Sequence, residues 1–434
     1  MRNIKILLII LSFNFSLFSQ EKDPGESQKS AELKKLTVAA WKISSRISPD
    51  PQKLNYVFDK SFFNYVSKEK MSEIFKKLYE ENGSVLSVST ASYKEGSLTA
   101  DFFFYTEKGF VIPATVTVES TKWKVTGLFF RPAFKKTESI SESSSSFEKM
   151  PYQFNSILVK RLSGLEDNLY SKNETKPAAI GSAFKLYILA WLVENQTPWD
   201  KILKLKPQNR SLPSGRIHNF QDGSPFTVLS LAQAMISESD NTAADMLIDF
   251  IGREKLEESL SLFKNSFASL NKPFLKTSEM FKLKADPQLA ARYALSDLKT
   301  RRKILKEIEK RPLPSVSSVY PNNKASYIVS IEWFASAEDI CSLMDYFRKK
   351  NNPQAKTILS LNPGLDVKTG GFKYAGYKGG GEPGVISMNW LLEAKSGTWY
   401  CVSSASNDEN ININSEEYFK TVQNILNQVG AETF

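Results

Sequence analysis

An apolar run in the middle of the chain constrains the fold more than any other feature. Residues 186–192 are all apolar or aromatic, and Ser182 and Lys185 stand directly before them. A helix that is hydrophobic on every side must be buried, so this segment predicts the central helix of a large domain. Residues three apart share a helix face, which places the Lys185 amine beside the Ser182 hydroxyl. The positive end of the helix dipole would favour an alkoxide at Ser182.

The composition is that of a folded protein with more than one domain. The chain has 434 residues, of which 41% are hydrophobic and 12% aromatic, enough to form two cores. The net charge of +10 is not arranged in basic runs interleaved with aromatic residues, so we expect no nucleic-acid partner. A single histidine, His218, argues against a zinc hydrolase and leaves a histidine triad dependent on that one loop residue.

The first twenty residues have the pattern of a secretory signal peptide. A basic start precedes an apolar core of about ten residues, and we expect cleavage near Ser19 or Gln20. This run is too short to span a bilayer, and no later stretch reaches the roughly twenty apolar residues of a membrane helix. We therefore expect a periplasmic or secreted protein without a transmembrane segment. In such a compartment Cys341 and Cys401 can pair, or they can remain two buried thiols.

A serine-rich stretch divides the chain. Residues 137–149 contain little that could pack, so we predict a linker between a small domain at 30–136 and a large one at 150–434. The small domain has a helical pattern over residues 53–81, followed by four period-two strands at 85–93, 98–105, 110–118 and 123–131. This α+β order resembles the cone-shaped fold of the nuclear-transport-factor and steroid-isomerase type. We favour a structural or recognition role for it.

The large domain also has an α+β pattern. Helical patterns at residues 227–238 and 241–251 precede three strand patterns at 372–379, 385–394 and 398–405, and a last helix is predicted at 416–429. The sequence therefore predicts helices packed on an antiparallel sheet that is built partly from the C-terminal third of the chain.

A Ser-Asp-Asn tripeptide, Ser239 to Asn241, falls at the predicted break between two helices. A turn there can direct a hydroxyl and an amide into one cleft, although the same residues also make a good helix cap. The serine-x-x-lysine spacing at Ser182 is common by itself, and this chain repeats it at Ser67 and Ser261 among other places. Only the combination of motifs is therefore informative.

A third element combines lysine with glycine and has two candidates. Lys368 and Thr369 precede the predicted strand, whereas Lys378 ends it and is followed by Gly379 and Gly380. A cation at a strand edge can hold a carboxylate, and glycines let the strand approach a substrate closely. We favour Lys378 and keep Lys368 with Thr369 as the alternative.

In this order, the three motifs resemble the active site of the serine penicillin-recognising enzymes, and the flanks of Ser239 resemble those of class A β-lactamases. The resemblance covers roughly residues 150–430. It implies a β-lactamase/transpeptidase-like fold and catalysis through an acyl-enzyme. It implies neither a metal nor a cofactor, and the acyl donor would be a β-lactam or a peptidoglycan-like molecule. We expect the protein to be a monomer.

The resemblance also implies a role for each residue of the motifs. The nucleophile would be Ser182, its base Lys185, the proton relay Ser239, the ligand of the substrate amide Asn241 and the carboxylate anchor Lys378. The glycines Gly380 and Gly381 would contact the substrate, and the Gly381 N–H would complete an oxyanion hole with that of Ser182.

One departure from the class A pattern concerns deacylation. Those enzymes carry a glutamate in a Glu-x-x-Leu-Asn pattern, which activates the water that frees the serine. This sequence lacks the pattern, and the corresponding stretch offers Glu279 as a candidate. The resemblance favours β-lactam hydrolysis. The alternatives are a D-alanyl peptidase, penicillin-binding protein or esterase with slow deacylation, and a non-catalytic module that binds the cell envelope.

Overall fold

The computed structural model describes residues 24–431 except 132, 136–138, 165, 213 and 368–370. The predicted signal peptide and the alternative element at Lys368 and Thr369 lie outside these residues. The described chain divides into two units, the first at residues 24–108 and 113–130 and the second at 109–112 and from 131 onward. Among the described helices, none is long and apolar enough to cross a membrane.

The first unit combines two α-helices with an antiparallel sheet in the order β1-β2-β3-β4. Its elements are α1 (Pro24–Ser44), α2 (Lys68–Asn82), β1 (Val85–Tyr93), β2 (Thr99–Thr106), β3 (Phe110–Val118) and β4 (Val125–Phe130). In β2 every second side chain is buried, Phe102 and Phe104 among them, as the period-two pattern predicted. The four predicted strands are thus confirmed to within two residues at each end.

The helical pattern predicted over residues 53–81 is an α-helix only in its second half. The Ser67 hydroxyl accepts the Lys70 N–H at 3.1 Å and caps α2 there. Before this cap, Leu54–Tyr56 and Lys60–Asn64 form two short 3₁₀ helices. The apolar spacing therefore predicted burial, whereas the N-cap at Ser67 sets the start of the α-helix.

The prediction of a linker at 137–149 was wrong where the structure describes that stretch. Ile140–Glu148 form a helix, α3, whose Ile140 and Phe147 are buried. The Phe147 ring lies 5.3 Å from that of Tyr418 in the last helix. Ile140 and Phe147 are two helical turns apart and share one face, and this spacing outweighs the serine content. The division between the units follows Phe130 rather than residue 136.

The second unit is built around an antiparallel sheet in the order β12-β13-β14-β6-β7. The strands of the second unit are β5 (Phe134–Lys135), β6 (Phe154–Arg161), β7 (Asp167–Lys172), β8 (Ala178–Ala179), β9 (Ile202–Lys204), β10 (Pro225–Thr227), β11 (Phe334–Ala335), β12 (Phe372–Glu382), β13 (Val385–Ala394) and β14 (Trp399–Asn407). The three predicted C-terminal strands are therefore confirmed, and β6 and β7 complete their sheet.

Helices cover both faces of this sheet. Besides α3, they are α4 (Lys185–Glu194), α5 (Val228–Ser237), α6 (Asn241–Ile251), α7 (Arg253–Leu262), α8 (Thr277–Lys284), α9 (Pro287–Ala294), α10 (Leu298–Ile308), α11 (Val316–Val319), α12 (Ala337–Lys350), α13 (Pro353–Ser360) and α14 (Ser415–Ala431). On one face, α3 and α14 pack around Trp390 of β13. On the other face, α12 and the helices around α4 form the larger core, so the α+β class is confirmed.

The apolar run of the sequence is the buried helix α4, as predicted. Cys341 in α12 and Cys401 in β14 form a disulfide, so of the two alternatives for these cysteines the structure contains the bonded one. This bond joins α12 to strand β14 of the central sheet. Helix α4 lies in the same core as these two cysteines.

Candidate active site

Helix α4 begins at the candidate nucleophile. Gly181–Phe184 form a 3₁₀ turn that runs directly into α4. Gly181 has a φ of +47°, in the left-handed region that favours glycine. Ser182 lines a cleft at this turn, whereas the Lys185 side chain is fully buried behind it. The Lys185 Nζ lies 3.1 Å from the Ser182 Oγ, which is the contact that their spacing predicted.

The Lys185 amine is surrounded by uncharged oxygen atoms. Its Nζ lies 2.5 Å from the Ser239 carbonyl oxygen, 2.8 Å from the Asn241 Oδ1 and 3.3 Å from the Ser239 Oγ. Burial, and after it the positive charge of Lys378, lower the pKa of Lys185 well below its ordinary value, against a weaker effect of two carboxylates. A neutral amine has a free electron pair, so Lys185 can accept the Ser182 proton.

Asp240 shapes the turn that carries Ser239 and Asn241. Its carboxylate caps α6 by accepting a backbone N–H at 2.8 Å. The same carboxylate accepts the backbone N–H groups of Arg216 and Ile217 at 2.7 and 2.9 Å. Ser239 has a φ of +58° in this turn. Asp240 thus provides the helix cap, which leaves Ser239 and Asn241 to line the cleft.

Lys378 of β12 completes the group. Its Nζ lies 2.9 Å from the Ser239 Oγ and 2.8 Å from the Gly379 carbonyl oxygen. Burial lowers the pKa of Lys378 to about 7. A continuous path of hydrogen bonds therefore runs from the Ser182 hydroxyl through Lys185 and Ser239 to Lys378. Along such a path a proton can pass from the serine toward a leaving group.

Gly380 brings β12 against the turn that carries Ser182. A Cβ at Gly380 would overlap the Ile180 carbonyl and lie 2.5 Å from the Ser182 nitrogen. A Cβ at Gly181 would lie 3.0 Å from the Gly381 nitrogen. The backbone nitrogens of Ser182 and Gly381 therefore meet where strand and turn touch, and the predicted oxyanion hole requires this arrangement.

We expect Gly380→Ala to slow acylation of the protein by on the order of 10²-fold, because the methyl group must push β12 away from Ser182 and displace an oxyanion donor. The rate of adduct formation with a fluorescent penicillin measures this. We expect a smaller loss in Gly381→Ala, which keeps its backbone N–H and whose Cβ would meet only the Val385 carbonyl oxygen at 3.5 Å, an ordinary contact. Equal losses in the two variants would contradict the close approach at Gly380.

Ser182, Ser239 and Lys378 line one cleft of about 810 Å³ in the second unit, as do Asn241, Gly380 and Gly381. Three carboxylates line it in the described part of the chain, namely those of Glu238, Glu332 and Glu382. The Glu238 carboxylate lies 3.1 Å from the Arg216 guanidinium. The other two lie 2.8 and 2.5 Å from the Lys284 ammonium. Each of these carboxylates therefore has a cationic partner.

The candidate for deacylation, Glu279, is not among the residues that line this cleft. Its Oε1 is 2.6 Å from the Arg253 guanidinium, and its Oε2 accepts the Lys276 N–H at 2.8 Å. The glutamate stands in the first turn of α8, where its side chain folds back to satisfy a free backbone N–H. Capping and ion pairing thus engage both oxygens of the Glu279 carboxylate.

Ser214 and Thr277 are among the cleft residues that the sequence analysis did not predict. The Ser214 Oγ donates to the Ser239 carbonyl at 2.6 Å, and the Thr277 hydroxyl donates to Asp245 at 2.8 Å. Burial raises the pKa of Asp245 to about 6, against hydrogen bonds that lower it. Asp245, which accepts the Thr277 hydroxyl, stands one helical turn after Asn241. This spacing could have revealed Asp245 in the sequence. Ser214 reaches the cleft from an irregular loop, which leaves no periodic signal.

Part of the chain that contains this site is similar to a known enzyme family. Residues 141–306 match the model of the β-lactamase enzyme family, and this stretch contains Ser182, Lys185, Ser239 and Asn241. The helices on an antiparallel sheet around it form the predicted β-lactamase/transpeptidase-like fold. No curated protein matches the chain.

Several solved structures are similar to about two thirds of this chain. One is PBP-A, at 14% identity over 67% of this chain and 95% of that chain, with a TM-score of 0.45. Another is the TLA-3 extended-spectrum β-lactamase, at 12% identity over 68% and 98%, with a TM-score of 0.48. A β-lactamase from Francisella tularensis has 16% identity over 68% and 100%, with a TM-score of 0.46.

Proposed function

We propose that this protein is an exported serine hydrolase that is acylated at Ser182 by β-lactams or peptidoglycan-like acyl donors and releases the acyl group slowly. The observation that carries the proposal is the fully buried Lys185 amine, 3.1 Å from the Ser182 Oγ, with a lowered pKa. Burying an amine without a carboxylate partner is unfavourable for folding, so this arrangement is best explained by chemistry at the serine.

In the proposed acylation, neutral Lys185 takes the Ser182 proton as the serine oxygen attacks the carbonyl carbon. The N–H groups of Ser182 and Gly381 stabilise the negative oxygen of the tetrahedral intermediate. The proton then passes through the Ser239 hydroxyl to the leaving nitrogen or oxygen, and the bond to the leaving group breaks. Lys378 holds a substrate carboxylate as a cation and donates to Ser239.

The proposed slow release rests on the carboxylates. A water molecule that attacks the acyl-enzyme needs a base, and Glu279 is held by Arg253. The carboxylates that line the cleft in the described residues are all paired with cations, Glu238 with Arg216 and the others with Lys284. These contacts favour penicillin binding or a slow peptidase or esterase over rapid β-lactam hydrolysis.

Export is part of the proposal. The signal-like pattern of the first twenty residues supports it, and so does the Cys341–Cys401 disulfide, since such bonds persist in oxidising compartments. For the first unit we propose a structural or recognition role of the nuclear-transport-factor type, based on its two helices followed by an antiparallel sheet.

Intact-protein mass spectrometry after incubation with a fluorescent penicillin tests the proposal. We expect a stoichiometric adduct on Ser182 that persists for hours after excess penicillin is removed. An adduct that disappears while hydrolysed antibiotic accumulates would replace slow release with β-lactamase activity. If neither penicillin nor an activated ester labels Ser182, the serine hydrolase assignment is wrong and the non-catalytic module takes its place.

A further inference from the structure

A second buried ionic group forms part of the cleft wall and takes no part in the proposed acylation. We call it the Lys284 cluster, and it consists of Lys284, Tyr320, Glu332 and Glu382. Lys284 ends α8, and its side chain has no exposed area. Its Nζ lies 2.8 Å from the Glu332 Oε1 and 2.5 Å from the Glu382 Oε1. Such a group needs well-made hydrogen bonds to be tolerated.

Both oxygens of the Glu382 carboxylate are engaged. Lys284 donates to one, and the Tyr320 hydroxyl donates to the other at 2.5 Å. Tyr320 directly follows α11, and Lys284 ends α8, so two separate parts of the helical segment from 277 to 320 hold the same carboxylate. Glu332 completes the group and accepts the Trp333 N–H at 3.2 Å.

The position of Glu382 on β12 places the cluster next to the candidate oxyanion donor Gly381. Glu382 is the last residue of β12 and the direct neighbour of Gly381. Side chains at every second position of a strand point to the same side, so Lys378, Gly380 and Glu382 share one side of β12. Lys378 is bonded to Ser239 at one end, and Glu382 to Lys284 at the other. The contact of Gly380 with the Ser182 turn lies between these two attachments.

Burial and the neighbouring charges shift the pKa values of Glu382 and Lys284. Burial, and after it the Glu332 carboxylate, raise the pKa of Glu382 to about 8, against the opposing effect of Lys284. Burial alone would lower the pKa of Lys284, but the two carboxylates outweigh it and the pKa is raised. Glu382 therefore shares the Lys284 ammonium with Glu332 in a buried site.

We propose that the Lys284 cluster positions the Gly381 N–H for catalysis, by fixing the end of β12 to the helical segment that forms one wall of the cleft. Glu382 is a positioning residue in this arrangement, because it acts through the backbone of its neighbour and both its oxygens are already bonded. The inference rests on the proposed acylation of Ser182. Its distinctive consequence is an effect on the chemical step rather than on the binding of the acyl donor.

Single-turnover acylation by a fluorescent penicillin tests this positioning. We expect Glu382→Ala to lower the acylation rate constant by on the order of 10²-fold with little change in the dissociation constant, since a displaced oxyanion donor acts in the transition state. Glu382→Gln keeps an oxygen for Lys284 and the same length, so we expect it to retain most of the rate. Glu393→Ala is the matched control. Glu393 lies on β13, forms an ion pair with Lys373 at 3.1 Å and is not among the residues that line the cleft.

Three results would overturn the positioning role. One is an unchanged rate in Glu382→Ala, and another is a loss that appears only in the dissociation constant. The third is a Glu382→Gln variant that acylates normally but no longer releases the acyl group, which would make Glu382 the missing base. Wild-type protein that neither penicillin nor an activated ester labels at Ser182 would instead reject the proposed function. Hydrogen exchange of the peptide containing Gly381 then decides, and equal exchange in Glu382→Ala and wild type rejects the cluster's role.

Discussion

Ser182→Ala is expected to form no covalent adduct with penicillin and to lower the turnover of an activated ester by on the order of 10⁴-fold or more. Removal of the nucleophile from a group that acts as a unit typically has an effect of this size. Only the hydroxyl oxygen is lost, and the helix behind it keeps its apolar packing. Intact mass and ester hydrolysis, measured on the same folded samples, check both parts.

The control for Ser182 is another serine of the same spacing. Ser261 stands three residues before Lys264, and both side chains are exposed at the end of α7. We expect Ser261→Ala to match the wild-type protein in adduct formation and in ester turnover. A Ser182→Ala protein that still carried the full adduct would place the nucleophile elsewhere and end the assignment of Ser182.

Lys185→Met is expected to slow acylation by on the order of 10³-fold, the usual contribution of a general base. Methionine is similar in length and apolar, so it suits the buried position better than a charged amine does. The loss should therefore appear in the acylation rate constant of a protein that remains folded, as judged by circular dichroism. Lys264→Met is the matched control, and we expect no change in it. A Lys185→Met variant with the wild-type rate would exclude Lys185 as the base.

The pH dependence of the same rate follows from two lysines with opposite requirements. Lys185 must be neutral, so acylation rises with pH as this amine loses its proton, at a pH set by its lowered pKa rather than by the ordinary 10.5. Lys378 acts as a cation, and its pKa of about 7 means that its contribution falls as pH rises through neutrality. We expect a bell-shaped profile for the wild type and loss of the rising limb in Lys185→Met. A flat profile would contradict both assignments.

Much of the candidate site could be predicted because it depends on local spacing. Ser182 and Lys185 share a helix face, Ser239 and Asn241 flank a capping aspartate, and Lys378 ends a strand. The structure brings these side chains within 3.3 Å of one another along one path. The choice of Lys378 over Lys368 also came from the strand pattern, while Lys368 lies outside the described residues.

Other parts could not be read from the sequence because they depend on contacts between distant segments. Glu279 has no distinguishing feature in the sequence, and only the structure shows its ion pair with Arg253. The Lys284 cluster joins residues up to 98 positions apart, and no local pattern marks them. The serine-rich stretch was predicted as a linker because it contains only two large apolar residues. Both are buried in the structure, and Phe147 packs against Tyr418.

The sequence by itself therefore determined the buried helix, the strand periods and the local spacing within each candidate motif, because these follow from backbone periodicity and capping within a few residues. The tertiary structure decided which carboxylates are neutralised, which serine of several meets a buried lysine, and how Gly380 touches the Ser182 turn. These outcomes depend on burial and on charge pairing across the fold. Both are set by the packing of segments that are far apart in the chain.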